Sequence, residues 1–211
     1  MRHICMRQTL LLIIVFLFSV GCCAPHRFPH VLHVDARFTP AEQECIVSAV
    51  NEWEKATDGI VEITPVITNG MVTPKHINVY RPDGRHAIFV ANFLDDRVLG
   101  RADLATRLGL ISANNIWINR QSIWKYHPHR YLMFFRMIVM HELGHHLGLN
   151  HFKNYRYQAL MQPYDSEQTP CITPADLQQF CSLYNCKGRN VKTTCDPEDM
   201  VLVEHIKKYE N

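Results

Sequence analysis

Net charge is what this sequence has least of: 22 lysines and arginines face 20 aspartates and glutamates over 211 residues, a formal charge of +2. Removing a leader of residues 1–21 would take away Arg2 and Arg7 and leave the two signs equal at 20 each. A chain so balanced offers no electrostatic footing for nucleic acid or for an anionic membrane surface. Long apolar runs are also missing. The longest, Leu10 to Phe18, falls well short of the roughly 20 residues a spanning helix needs. No CxxC pair occurs, which argues against a cysteine-bound zinc. Internal repeats and low-complexity linkers are absent too, while 47% of the residues are hydrophobic, enough for an ordinary core.

The first residues follow the plan of an export leader: Arg2 and Arg7, the short apolar run, then small residues before Cys22 and Cys23. The stretch FSVGCC resembles the processing box of bacterial lipoproteins, which makes Cys22 the candidate for lipidation. A eukaryotic secretory leader cut nearby is the alternative. Both readings place the protein in the cell envelope or the extracellular space. There, eight cysteines are ordinary. With Cys5 and a lipidated Cys22 set aside, Cys23, Cys45, Cys171, Cys181, Cys186 and Cys195 remain, an even number with fifteen connectivities. The last four are expected to staple the C-terminal segment. The expected organisation is a signal peptide over 1–21, a short linker over 22–27 and one domain over 28–211.

The stretch RFPHVLHVDARF reads as a first strand carrying Phe28, Val31, Val34 and Phe38. Thr39, Pro40 and Glu42 form a capping box, and Ile46, Ala49, Val50 and Trp53 recur at helical spacing until Asp58-Gly59 ends the helix. Short β-branched and aromatic runs come next, between Ile60 and Ile123: IVEITPVIT, INVYRP, HAIFVANF and GLISANNIWINRQSI. They predict three or four strands. After Pro128 the sequence is apolar on nearly every side to Met140, as in a helix buried mid-domain. Thr173, Pro174 and Asp176 repeat the capping device before a last helix striped by Leu177, Phe180, Cys181 and Tyr184. These elements predict an α+β fold, a twisted mixed sheet with two long helices and a disulfide-stapled C-terminal helix. Trp53, Trp117 and Trp124 are expected to pack in the core or at its edge, and Arg136 to reach from its apolar helix to a carboxylate or solvent.

The chemistry concentrates in HELGHHLGLNH, residues 141–151. On a helix His141 and His145 project from one face and can share a zinc ion. Glu142 is poorly placed to bind the same ion but well placed to act as general base on water. Gly148 permits a left-handed turn that doubles the chain back and offers His151 as third ligand. Three nitrogens leave a coordination position open, the mark of a catalytic rather than a structural zinc. Fixed intervals among five defining positions argue against a chance cluster in a chain of 13 histidines. His146 falls between the ligands and reads as a surface or packing residue; His127 and His129 read as loop or capping residues. His26, His30, His33, His76 and His86 have no partner spacing.

That pattern, with Met161 ten residues after His151 in YQALMQP, resembles the extended zinc signature and methionine turn of the metzincin metalloproteases, in the matrixin version. The resemblance covers roughly residues 28–186. It implies a monomeric zinc endopeptidase acting on peptide or protein substrates, with Zn2+ on His141, His145 and His151, Glu142 as base and acid, and Met161 as floor beneath the metal. It also assigns GLISANNIWINRQ to the upper-rim edge strand that pairs with an extended substrate. Phe152 stands where matrixins often carry Ser or Thr. Astacins and serralysins place a tyrosine two residues after the turn methionine; here Pro163 holds that position and Tyr164 comes after it, as a candidate transition-state or pocket residue. The family's residues for structural calcium and a second zinc do not line up around 70–100, so one catalytic ion is expected. Two rival readings are a catalytically silent zinc-binding interaction module, which gains nothing from Glu142, and a zinc hydrolase of non-peptide amides.

Overall fold

A computed structural model describes residues 28–71, 86–107, 110–152, 159–163 and 169–196. Five strands make one mixed sheet in the order β2-β1-β3-β5-β4: β1 His30–Asp35, β2 Ile63–Thr68, β3 His86–Val90, β4 Gly100–Arg107 and β5 Leu110–Ile118. β2, β1, β3 and β5 run parallel, and β4 is added antiparallel at one edge. The helices are α1 Pro40–Ala56, α2 Arg120–Tyr126, α3 Tyr131–His146 and α4 Pro174–Leu183, with a 3-10 turn over Pro128–Arg130. The mixed sheet with helices agrees with the expected class. Among the described residues no helix is long and apolar enough to cross a membrane.

Local signals account for the helices. Thr39 Oγ1 accepts from the Glu42 amide at 3.3 Å, and Glu42 Oε2 accepts from the Thr39 amide at 2.6 Å, so the first helix opens on a complete capping box. Asp58 and Gly59, at φ 53° and 70°, end it. Ile46, Ala49, Val50 and Trp53 are fully buried. Each large apolar side chain so buried contributes about 1.5–3 kcal/mol, and together they fasten α1 to α3, where Trp53 Nε1 donates to the Met140 carbonyl at 3.0 Å. Arg136 leaves the apolar run of α3 to meet Glu52 and, at 3.0 Å, Ser48. Trp53 and Trp117 are core residues, whereas Trp124 is 59% exposed.

Three readings need correction. In β1 it is Leu32 and Val34 that face the core at 0% exposure, while Val31 is 43% exposed. Val31 and Val34 are three positions apart, an odd step, and therefore lie on opposite faces. His30 consequently shares the inward face with Leu32. The strand predicted through Ile123 stops at Ile118, because Asn119 caps α2 by accepting from the Ser122 amide at 3.3 Å. The edge strand is β4, not the GLISANNIWINRQ segment: β5 is interior, bonded to β3 on one side and β4 on the other. The predicted strand INVYRP, 77–82, lies outside the described residues.

Four of the cysteines pair as Cys171–Cys195 and Cys181–Cys186, stapling the C-terminal segment as expected. Among the described residues Cys45 has no disulfide partner. Thr194 extends the staple by accepting from Ile172 and hydrogen bonding Glu52 on α1.

Candidate metal centre

α3 carries His141, Glu142 and His145 in its last two turns and then stops in a Schellman motif. The Leu149 amide donates to the Gly144 carbonyl at 3.0 Å, and the Gly148 amide to that of His145 at 2.8 Å. Gly148 sits at φ 90°, a left-handed conformation that a side chain would strain. The chain turns back there and delivers His151 to the helical pair. His141, His145 and His151 converge through Nε2, with mutual separations of 3.1, 3.0 and 3.0 Å.

Hydrogen bonding does not account for this triangle. Each Nε2 either donates or accepts, so among three mutual contacts at least one must set like against like. A shared cation satisfies all three. Tetrahedral coordination with Zn–N of about 2.0–2.1 Å sets ligand nitrogens about 3.3–3.4 Å apart, within a few tenths of an ångström of the separations found. Two of the other ring nitrogens are already engaged: Nδ1 of His141 on the Leu160 carbonyl at 2.7 Å, and Nδ1 of His145 on that of Leu149 at 2.8 Å. A carbonyl partner makes Nδ1 the protonated nitrogen and leaves the Nε2 lone pair for a metal. Burial, reinforced by the neighbouring imidazoles, holds His141 well below the ordinary histidine range. Burial also holds His145 down to about 4, against the opposing pull of the Leu149 carbonyl. Both are therefore neutral donors at physiological pH. The residues fit a divalent zinc-class ion.

Against His141 and Gly144 lies the turn through Met161, whose side chain is fully buried. Asp176, at N3 of α4 and 0% exposed, accepts from the Leu160 and Met161 amides at 3.0 Å each and from the Thr173 amide at 2.8 Å. The same turn supplies the Leu160 carbonyl to His141, so α4, the turn and the first ligand form one chain of hydrogen bonds. Gly144 makes room for it: a Cβ there would lie 2.2 Å from Met161 Sδ. Glu142 is 1% exposed and lies against β4, where a Cβ on Gly100 would come within 2.6 Å of its Oε1. Tyr164 and Cys22 lie outside the described residues.

Sequence spacing assigned nothing to His30 and His86, and read His146 as a surface or packing residue. The fold brings the three together, with ligand atoms all within 4.8 Å of one another. His146 is fully buried, so it is no surface residue. The signal that could have found them is the period of two in β1: with Leu32 and Val34 inward, His30 is inward as well.

Residues 39–185 match the family model described as Matrixin, from the cap of α1 to the residue before Cys186. No curated protein matches the chain.

Proposed function

Since this chain belongs to the matrixin family of zinc metalloendopeptidases, we propose that His141, His145 and His151 hold its catalytic zinc and that Glu142 is its general base and acid. The closed triangle of Nε2 atoms supports the ligand assignment. Zinc bound there would lower the pKa of water toward neutrality and polarise the scissile carbonyl. Glu142 would take the proton of the attacking water and return it to the leaving amine. Its burial against the backbone of β4 suits that task, because a carboxylate pressed into protein is shielded from bulk solvent and fixed in direction. Met161 floors the site, and Asp176 positions Met161 and His141 without touching the reacting atoms.

The peptide enters as an added strand along β4, whose outer edge is free of pairing within the described sheet. This puts the substrate's backbone beside Gly100, and hence beside Glu142. The protein works outside the cytosol. The two disulfides among the described residues are of the kind an oxidising compartment preserves, and the leader-like first residues agree. Mass spectrometry of the mature N-terminus tests processing at Cys22 and its lipidation.

Hydrolysis of a proteome-derived peptide library by the purified mature chain tests the catalytic reading. Cleavage is expected with zinc, is abolished by a chelator, and falls about 10²–10⁴-fold in Glu142→Ala with metal content unchanged. Equal rates in wild type and Glu142→Ala would remove Glu142 from the mechanism. Zinc bound without any turnover would return the chain to the binding-module reading.

A further inference from the structure

We propose that His30, His86 and His146 form a second metal site for a zinc-class divalent ion, separate from the triad of His141, His145 and His151. The three come from different elements: His30 opens β1, His86 opens β3, and His146 ends α3. β1 and β3 are parallel neighbours with Leu32 opposite His86, so both strand histidines sit at the same end of the sheet. Both also share the helix-covered face, since Leu32, Val34 and Ile88, each an even step away, belong to the core beneath the helices. α3 then drops His146 onto them. His30 Nε2 and His146 Nε2 are 3.0 Å apart, the same separation found within the first triad. The ring centroids of His86 lie 4.2 Å from His30 and 5.1 Å from His146.

Three features suit a cation there. The donor set is all imidazole, which favours zinc, copper or nickel over calcium or magnesium. His146 is in the last turn of α3, where the unsatisfied carbonyls of the helix present negative potential. The site is also fixed from outside, with Phe28 stacked on His30 at 5.2 Å and Asn114 Nδ2 donating to the His146 carbonyl at 3.3 Å. An ion on these residues would tie two strands to the turn of α3 that bears His145. Two adjacent residues, His145 and His146, would thus serve two different ions from two sides of one helix.

The test counts metal in the full mature chain. Protein stripped by chelator is titrated with Zn2+, and with Co2+ read by visible absorption, and bound metal is measured after dialysis. Wild type is expected to take up two ions, His86→Gln one and His151→Gln one, the two variants losing different Co2+ spectra. His86 is not a member of the first triad, so its loss separates the sites, and circular dichroism of each variant confirms that the fold persists. His30→Gln serves as the second variant and is expected to repeat the His86→Gln result. One ion in wild type, with the same one ion in His86→Gln and His30→Gln, would overturn the proposal and leave the peptidase reading standing. Two ions in wild type with neither lost in those variants would overturn it equally.

Discussion

Two glycines touch the chemistry from opposite sides, and both are defined by the side chain they lack. Gly144 lies over Met161 Sδ and also over Trp53, whose Cζ2 a Cβ would approach to 3.3 Å. Alanine in an ordinary helix interior is more stable than glycine by up to about 1 kcal/mol. At 144 the sign should reverse. The sulfur must move, and overpacking of this kind costs about 1–3 kcal/mol, so Gly144→Ala is expected to lower the unfolding midpoint. Gly100→Ala acts differently: its methyl would collide with Glu142 Oε1 and with Ile138 Cγ2 at 2.9 Å. Turnover should fall about tenfold or more with zinc content unchanged, because the proposed base is displaced while the proposed ligands are not. Urea unfolding, metal analysis and steady-state kinetics on the two variants check both outcomes; a stabilised Gly144→Ala would refute the packing account.

At the scale of elements, Asp176 links a helix cap to His141, the first of the proposed metal ligands. One carboxylate completes the capping box of α4, receives two amides of the Met161 turn and so holds the carbonyl that orients His141. Asp176→Asn would aim an amide NH2 at groups that are themselves donors. Each buried donor left unmet costs about 1–3 kcal/mol, and loosening a partner of a ligating histidine typically costs 10–100-fold in metal affinity. Zinc competition against a chromophoric chelator should show weaker binding alongside the lower stability; unchanged affinity would sever the link. The two capping boxes, the buried third helix and the reversal at Gly148 were legible in the sequence because each rests on neighbours within a few residues. β4 was not. Gly100, Arg101, Asp103 and Arg107 give it the composition of a turn, and only its pairing with β5 makes it a strand. The convergence of His30, His86 and His146 was equally hidden, since it needs the register of β1 against β3 and the end of α3 at once.

For the molecule as a whole, acid should loosen one tether between the sheet and the turn that leads into α1. Asp35 ends β1, 2% exposed, and receives the Arg37 side chain and its amide. Burial works to raise its carboxyl, but the hydrogen bonds and charge of Arg37 outweigh this and hold it below the ordinary value of 3.8. A depressed folded-state pKa means that the unfolded chain takes the proton more readily. The stabilisation is therefore complete above pH 3.8 and is lost as pH falls through the lower folded value. The difference in unfolding midpoint between metal-free wild type and Asp35→Asn should be flat above about pH 5 and shrink below 3.8. A difference that persists unchanged to pH 2 would show that the charge of Asp35 contributes nothing.

The proposed entry of peptides along β4 would offer the same row of amides and carbonyls to every other copy of the molecule. On β4 the Arg101–Asp103 ion pair, 2.7 Å between Nε and Oδ1, sits in that row. Stacking two such edges would strip water from these charges, a cost that a passing unstructured substrate escapes through its own side chains. Replacing the pair with threonines would leave the fold its strand and remove one charged obstacle to edge-to-edge association between copies.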